Sequence, residues 1–248
     1  MKINDIPVLI LAGGLGTRLR GLYPDIPKPI VPIDGKPYIE ILIEFLEKKG
    51  FKNFTISVGY KKEMIKKTLE HKGYNISFVE EETPLGTGGA VRNALEVFSP
   101  RALVVNGDTY LDIDYERFLD FHLKQNKKNG SLCSICLVYM DDTKRFGNVI
   151  FEGNRLKEFS EKDTKTEGPG WINGGVYIIE REFVNLIPKE IKSSFEKDVI
   201  PKAIKKNILI SVFKTDGTFY DIGTPESLSK FIEFYKNKKQ GKHEDDKK

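Results

Sequence analysis

The sequence predicts an α/β fold in which helices cover both faces of a mostly parallel sheet. Short apolar runs alternate with segments of helical periodicity through the first half of the chain, which is the pattern of successive βα units. A length of 248 residues suits one such domain with a substantial core and is short for two. Because no internal repeat or linker divides the chain, we expect a single domain over residues 1–235 and a polar, disordered tail over residues 236–248.

Each element of the first half follows from its apolar spacing and its end signals. Residues 7–12 form a continuous apolar run, typical of a strand buried on both faces. Residues 37–49 place Leu42, Phe45 and Leu46 on one helical face, and Gly50 is suited to end that helix. The same reasoning predicts strands over residues 54–59, 74–79 and 102–106, and helices over residues 61–71 and 88–98.

The second half is less regular and predicts some antiparallel strands. Strands are expected over residues 131–140, 147–151, 155–160, 171–179 and 208–213. The turn sequence Glu152-Gly153-Asn154 predicts a hairpin between the second and third of these. A helix over residues 195–206 should be interrupted near Pro201, and a last helix should begin at Thr224-Pro225, a cap residue followed by proline at the first helical position.

Composition excludes several classes of function. The formal charge is +4, but residues 236–248 carry six lysines against three acids, so only about +1 belongs to the rest and nucleic acid is not an expected partner. No apolar stretch approaches the roughly 20 residues that cross a bilayer, and the first residues do not resemble a secretory signal. We expect no membrane partner and a cytoplasmic location, and the sequence leaves a homo-oligomer open.

The cysteines and histidines predict no metal or nucleophilic chemistry. Cys133 and Cys136 lie in one predicted strand, where a spacing of three directs them to opposite faces. A single cysteine pair also cannot complete a tetrahedral zinc site. None of the three histidines adjoins a motif, so a serine or cysteine triad is not expected.

A glycine-rich turn followed by two cations is the main indication of function. Gly13, Gly14 and Gly16 follow the first apolar run, and such a turn exposes backbone N–H groups that a phosphate can approach closely. Arg18 can add a planar fork and Lys28 a point charge. The spacing fits neither the dinucleotide-binding fingerprint nor the Walker loop. The turn and its cations therefore predict a triphosphate site.

This region and five later blocks resemble the sugar-1-phosphate nucleotidyltransferases, the enzymes that make nucleotide-activated sugars. Within that family the sequence around Lys28 is most similar to the heptose-1-phosphate guanylyltransferases, with the mannose-1-phosphate guanylyltransferases close behind. The blocks are residues 11–19, Pro27-Lys28-Pro29 through residues 32–37, residues 84–90, Asn106-Gly107-Asp108, residues 173–177 and residues 220–225. The resemblance implies the nucleotide-diphospho-sugar transferase fold, a Rossmann-like three-layer α/β/α sandwich with a mixed, mostly parallel central sheet. It also implies a nucleotide-binding half over about residues 1–110 and a sugar-binding half over about residues 111–235.

The resemblance assigns roles to particular residues. It implies that Arg18, Lys28 and Asp108 are catalytic and that Mg²⁺ is held by Asp108 and Asp221, consistent with the preference of this ion for a few carboxylates plus substrate phosphates. Sugar-phosphate binding falls to Glu161, Lys162, Asn173 and Gly174. Binding of the nucleoside triphosphate falls to Leu11, Ala12, Gly13, Gly14, Gly16, Thr17, Glu80, Gly86, Thr87 and Gly107.

The acidic run Glu80-Glu81-Glu82 bears on the choice of base. A carboxylate there can accept both donors on the guanine edge, N1–H and the 2-amino group, whereas thymine and uracil offer one donor. We therefore expect transfer of GMP from GTP to a sugar 1-phosphate, with a manno-configured heptose as first candidate. The alternatives are mannose-1-phosphate guanylyl transfer, uridylyl or thymidylyl transfer, a glycosyltransferase using Asp112 and Asp114, and a non-catalytic nucleotide-sugar sensor. Asp114 is more simply the cap of the helix that follows.

Overall fold

A computed structural model describes residues 1–70, 72–160 and 168–245 of the protein and contains one large sheet. The strands are β1 Val8–Leu11, β2 Pro32–Ile33, β3 Lys36–Pro37, β4 Phe54–Val58, β5 Ile76–Glu80, β6 Arg101–Asn106, β7 Thr109–Asp112, β8 Cys133–Met140, β9 Asn148–Glu152, β10 Arg155–Ser160, β11 Gly170–Glu180, β12 Ile210–Thr215 and β13 Thr218–Asp221. The helices are α1 Tyr38–Lys48, α2 Lys62–Leu69, α3 Gly86–Asn93, α4 Tyr115–Asn129, α5 Arg181–Asn185, α6 Ile200–Lys205 and α7 Pro225–Asp245.

The nine-stranded sheet has the order β5-β4-β1-β6-β11-β8-β12-β10-β9. Its first four strands are parallel, as the βα alternation of the first half predicts. β11 is antiparallel to both of its neighbours, β6 and β8, and β10 is antiparallel to β12 and β9. Since β12 is parallel to β8, only β10 and β11 oppose the other strands of this sheet. The expected mixed, mostly parallel sheet is confirmed.

Apolar residues cover both faces of the sheet and make two separate cores. Val8 and Ile10 belong to the core that includes α1, α2, α4 and α7, whereas Leu9 between them belongs to the core that includes α3, α5 and α6. This alternation explains why residues 7–12 are apolar throughout. Cys133 and Cys136 are buried in different cores, which confirms that they face opposite sides of β8.

Several elements differ from the sequence-based prediction. The helix expected over residues 88–98 begins at Gly86, ends at Asn93, and is followed by a 3₁₀ turn over Leu95–Val97. The helix expected over residues 195–206 begins as a π-helix, Phe195–Val199, and continues as α6 from Ile200, so the change of helix type lies next to Pro201. The pair β7 and β13 was not predicted, because two strands of four residues carry little periodicity.

The last helix is also longer than expected. α7 does not stop near residue 235 but extends to Asp245, so the expected disordered tail is wrong for residues 236–245. Lys238 donates to the Tyr110 hydroxyl at 2.8 Å, and Lys239 donates to Asp34 at 2.9 Å. These contacts anchor a helix surface that has no apolar periodicity of its own. No helix among the described residues combines the length and the apolar character needed to cross a membrane.

Candidate active site

The carboxyl ends of three parallel strands, β1, β5 and β6, open onto one cavity of about 550 Å³. β1 and β6 are adjacent with Leu11 opposite Asn106, so the loops that follow them leave the same edge of the sheet, where open α/β sheets place their ligands. Gly107 donates its N–H to the Leu11 carbonyl at 2.9 Å, and a Cβ on Gly107 would overlap that carbonyl oxygen. Glycine is therefore needed for the two loops to lie side by side.

Most residues predicted for triphosphate binding and catalysis line this cavity. Gly16 adopts a left-handed φ of 59° and leads into a short 3₁₀ turn that is anchored by buried Leu19. The turn leaves Thr17 and Arg18 exposed beside the cavity. The predicted residues that line it are Leu11, Ala12, Gly13, Gly14, Gly16, Thr17, Arg18, Lys28, Gly86, Thr87, Gly107 and Asp108.

Lys28 and Asp108 line one end of the cavity, and Asp221, which is not among the lining residues, lies beside Asp108. The Lys28 ammonium forms an ion pair with the Asp108 carboxylate. Pairing of β7 with β13 sets Asp221 opposite Thr109, and Ile222 donates its N–H to the Asp108 carbonyl at 2.9 Å. Two carboxylates 113 positions apart in the chain thus become neighbours across a two-stranded ribbon.

The donor set at Asp108 and Asp221 fits Mg²⁺. No cluster of three or more His, Cys, Asp or Glu side chains occurs within residues 1–70, 72–160 and 168–245, so the described protein offers no complete cage. Magnesium retains waters and typically takes one or two carboxylates together with substrate phosphates. Two adjacent carboxylates beside a phosphate-binding loop meet that requirement.

Tyr38 lies beneath this carboxylate pair and keeps its proton. Its side chain is fully buried, and burial, followed by the negative charge of Asp108, raises the pKa of Tyr38 well above its ordinary value. The neutral phenol therefore adds no further negative charge next to Asp108 and Asp221.

Glu81, and not the predicted Glu80, is the glutamate of the acidic run that lines the cavity. Glu80 points away from the cavity and pairs with Lys62 and Lys66 of α2, whose hydrogen bonds hold the pKa of Glu80 at about 2. Glu81 is 8% exposed and lines the cavity. Its Oε1 accepts from the Ser57 hydroxyl at 3.1 Å and its Oε2 from the Leu85 N–H at 3.0 Å.

The predicted sugar loop lies beside the same end of the cavity but does not line it. Space next to Gly175 is filled by Asn106 at the end of β6 and Thr109 at the start of β7, which places residues 173–175 against the turn that contains Asp108. Asn173 uses its amide internally, because Oδ1 accepts the Gly175 N–H at 3.0 Å and Nδ2 donates to the Tyr177 hydroxyl at 2.6 Å. A side chain on Gly174 would crowd the Cys136 carbonyl and Leu111. Glu161 and Lys162 lie outside the described residues.

Three polar or charged residues in or beside the cavity received no role from the sequence. Lys192 and Asn106 line the cavity, and Arg145 donates to Asp221 Oδ2 at 2.8 Å. Asn106 belongs to the Asn-Gly-Asp block and was within reach of sequence reasoning. Lys192 and Arg145 lie in loops without a recognisable pattern, so only the folded chain identifies them.

The acidic pair Asp112 and Asp114 has structural partners. Asp114 caps α4 and accepts the Arg117 N–H at 2.9 Å, as its position in the sequence predicts. Asp112 forms ion pairs with Lys49 at 2.6 Å and Lys238 at 3.2 Å. Neither aspartate lines the cavity, which removes the basis for the glycosyltransferase alternative.

Comparison with known proteins supports a common origin with nucleotidyltransferases. The family described as "Nucleotidyl transferase" matches residues 7–238. D-glycero-alpha-D-manno-heptose 1-phosphate guanylyltransferase of Campylobacter jejuni is 38% identical over 227 residues, which cover 90% of this chain and 97% of that protein. Mannose-1-phosphate guanylyltransferase of Mycobacterium tuberculosis is 32% identical over 92% of this chain and 64% of its own length.

Solved structures share the fold of nearly the whole chain. The crystal structure of HddC from Yersinia pseudotuberculosis aligns with a TM-score of 0.81 at 36% identity, covering 93% of this chain and 99% of that one. The structure of HddC complexed with GMP-PN aligns with a TM-score of 0.80. A putative glucose-1-phosphate thymidylyltransferase from Bacillus anthracis, at 21% identity and a TM-score of 0.77, shares the fold.

Proposed function

Because the chain belongs to the nucleotidyl transferase family, we propose that it transfers GMP from GTP to a sugar 1-phosphate and releases pyrophosphate. D-glycero-α-D-manno-heptose 1-phosphate is the first candidate for the acceptor, since two relatives of nearly the same length, 38% and 34% identical, are named for it. Mannose 1-phosphate is the second candidate, supported by longer relatives. The product belongs to the class of activated sugars that polysaccharide synthesis consumes.

The observation that carries this proposal is a cavity lined by a glycine loop, two cations and Asp108, with the carboxylate of Asp221 beside it. The reaction requires a phosphate oxygen of the sugar phosphate to attack the α-phosphorus in line, while the bond to the β-phosphate oxygen breaks and pyrophosphate leaves. A phosphate is already a nucleophile, so positioning and charge stabilisation supply the catalysis. Arg18 and Lys28 are placed to hold the triphosphate and to balance negative charge on it.

Asp108 and Asp221 would hold Mg²⁺, which when bound supplies positive charge to the phosphate oxygens. Before that, Lys28 and Arg145 neutralise the two carboxylates through the ion pairs described above. Lys192 is exposed on the cavity lining and adds a further cation for a phosphate group. A cytoplasmic location and a homo-oligomeric state stay predictions.

A substrate matrix tests the proposed function. Purified protein with Mg²⁺ is offered five nucleoside triphosphates against heptose, mannose, glucose and N-acetylated sugar 1-phosphates, and pyrophosphate release is measured. We expect the highest kcat/KM for GTP with the manno-configured heptose 1-phosphate. Release from UTP or dTTP in preference to GTP would contradict guanylyl transfer, and no release from any pair would contradict the whole assignment.

Glu81 supports guanine as the base. Each of its carboxylate oxygens accepts one described hydrogen bond and retains a second acceptor position for the N1–H and 2-amino donors of guanine. We expect Glu81→Gln to reduce the preference for GTP over ITP, which lacks the 2-amino group, by about tenfold, the typical effect of losing a hydrogen bond to a charged group. The matched control is Glu80→Gln, whose carboxylate faces α2 and should leave the GTP/ITP ratio unchanged. An equal loss of the preference for GTP over ITP in both variants would show that Glu81 does not recognise the base.

A further inference from the structure

One carboxylate between the nucleotide side and the sugar side of the site accepts hydrogen bonds from three hydroxyl groups. Glu196 lies in the first turn of the π-helix Phe195–Val199. Its Oε1 accepts from the Tyr177 hydroxyl at 2.9 Å, and its Oε2 accepts from the hydroxyls of Thr87 and Ser194, each at 3.1 Å. Hydrogen bonds to an ionised acceptor are roughly twice as strong as neutral ones.

On the nucleotide side, the network holds the N-terminal turn of α3. The Thr87 hydroxyl donates to Glu196, and its oxygen accepts the Phe195 N–H at 2.8 Å. Gly88 donates its N–H to the Ser193 carbonyl at 2.8 Å, which fixes the same turn a second time. Because Thr87 lines the cavity, the hydrogen bonds of its hydroxyl help to set the position of that wall.

On the sugar side, the network reaches the predicted sugar loop through one buried ring. Tyr177 is completely buried on β11, and its hydroxyl oxygen accepts from Asn173 Nδ2. The pairing of β11 with β8 shifts register between Asn173 and Tyr177, so this segment bulges out of the ladder. Hydrogen bonds from the Asn173 amide to Tyr177 and from the Gly175 N–H to Asn173 stabilise the bulge.

The ionised carboxylate dictates the direction of every hydrogen bond in this network. A carboxylate only accepts, so Tyr177 and Thr87 must both donate to it. The Tyr177 oxygen is then left to accept the Asn173 amide N–H, which leaves Asn173 Oδ1 for the Gly175 N–H. The Thr87 oxygen is likewise left for the Phe195 N–H. The Glu196 carboxylate thereby orients both the N-terminal turn of α3 and the predicted sugar loop.

We propose that Glu196 is a positioning residue that couples the nucleotide subsite to the sugar-phosphate subsite. It sets the orientation of the α3 turn through Thr87 and of the sugar loop through Tyr177 and Asn173. Both hydroxyls donate to Glu196, and no described hydrogen bond joins them directly. Phe195 also links the two residues, because its ring packs on the Tyr177 ring and its N–H donates to Thr87, but Tyr177→Phe keeps that ring contact, so coupling between the two hydroxyls reports on Glu196. The identity of the substrates in this inference rests on the proposed function.

A double-mutant cycle tests the coupling. Tyr177→Phe removes the sugar-side hydroxyl and Thr87→Val removes the nucleotide-side hydroxyl, while Thr87→Ser retains it as a matched control. We expect each loss to lower kcat/KM for guanylyl transfer by about tenfold, as when a hydrogen bond to a charged group is removed. Tyr177→Phe should act mainly on the KM of the sugar 1-phosphate and Thr87→Val mainly on the KM of GTP. The double variant should lose clearly less than the product of the two single losses.

Glu196→Gln supplies the second arm of the test. The amide keeps one acceptor oxygen but presents a donor at the other position, which breaks the direction of the network. In this background the coupling should disappear, so the losses from Tyr177→Phe and Thr87→Val should multiply. Glu182→Gln, on an exposed residue of α5, is the matched control and should leave both KM values unchanged. Midpoints of thermal unfolding establish that each variant is folded. If Glu196→Gln does not fold, the double-mutant cycle between Tyr177 and Thr87 still tests whether the two hydroxyls are coupled.

Multiplicative losses in the cycle with Glu196 intact, or a Glu196→Gln variant with the kinetics of Glu182→Gln, would overturn the inference. Failure of the proposed function has a different appearance, because the unmutated protein would then release no pyrophosphate from GTP with any sugar 1-phosphate offered.

Discussion

Lys28 and Asp108, which are 80 positions apart in the chain, form an ion pair at the end of the cavity. Asp108 also adjoins Asp221 through the β7–β13 ribbon, so its carboxylate serves both the lysine and the proposed Mg²⁺ site. At the scale of single residues, the chemistry of the site therefore depends most on this one carboxylate.

We expect Asp108→Asn to lower the rate of pyrophosphate release by at least about 100-fold, a loss comparable to removal of a main transition-state stabilising group. The amide is isosteric but carries no charge for Mg²⁺. The matched control is Asp114→Asn, because asparagine caps a helix as well as aspartate does and the α4 cap lies outside the cavity. Thermal unfolding should be alike in both variants. Near-normal turnover of Asp108→Asn at saturating Mg²⁺ would exclude Asp108 as a metal ligand.

At the scale of elements, α7 shows how a polar surface becomes an ordered helix. Lys238 lies over the rings of Tyr110 and Phe234, at 5.4 and 5.5 Å from their centroids, and pairs with Asp112. Burial opposes ionisation of Asp112, but hydrogen bonds from Lys49 and Lys238 outweigh it and hold the pKa of Asp112 below its ordinary value. The ion pair therefore ties α7 to β7.

This tie has a predictable pH dependence. A depressed carboxylate pKa stabilises the fold above its ordinary value of 3.8 and ceases to do so as the pH falls through the lower folded-state value. Lys238→Met removes the charge and keeps an apolar stem, and we expect it to cost about 0.5–1 kcal/mol at pH 7, because solvent screens this half-exposed pair. The difference from the unmutated protein should shrink as the pH falls below 3.8 and through the lower pKa of Asp112 in the folded protein. Lys230→Met, in an exposed pair with Glu226, is the control for removing a surface charge. A stability difference that does not change between pH 7 and pH 3 would contradict the assignment.

At the scale of the whole molecule, one buried carboxylate joins the parallel half of the sheet to the mixed half. Glu180, at the end of β11, accepts from Arg101 of β6 at 2.6 Å and contacts His122 Nε2 of α4 at 2.9 Å. His122 Nδ1 in turn bonds Ser134 of β8 at 2.8 Å. Burial opposes ionisation of Glu180, but hydrogen bonds from His122 and Arg101 outweigh it and hold its pKa below the ordinary value.

Removing the charge of Glu180 should destabilise the entire protein. We expect Glu180→Gln to lower the free energy of unfolding at pH 7 by about 3 kcal/mol, because it leaves the guanidinium of Arg101 without its buried partner. Urea unfolding measures the change, and Glu182→Gln on the neighbouring exposed position is the control. A change below about 0.5 kcal/mol, typical of a surface substitution, would show that the network does not hold the two halves together.

Local patterns made much of this architecture predictable. Alternating βα segments, the continuous apolar run before Gly13, the hairpin turn at Gly153 and the cap at Asp114 each depend on residues close together in sequence. Short elements escaped prediction for the same reason, since β7, β13 and α5 are too short to display a period.

The sequence by itself determined the fold class. It also predicted the glycine loop with Arg18 and Lys28 as a triphosphate site and, through the family resemblance, Asp108 and Asp221 as metal ligands. Only the tertiary structure decided that Glu81 rather than Glu80 faces the cavity. Glu81 donates its N–H to the Val58 carbonyl at 2.8 Å and turns its carboxylate to Ser57, while Glu80 turns to α2. Consecutive residues at the end of a strand point to opposite sides. The sequence does not distinguish these two glutamates, and the pairing of the strand decides which of them faces the cavity.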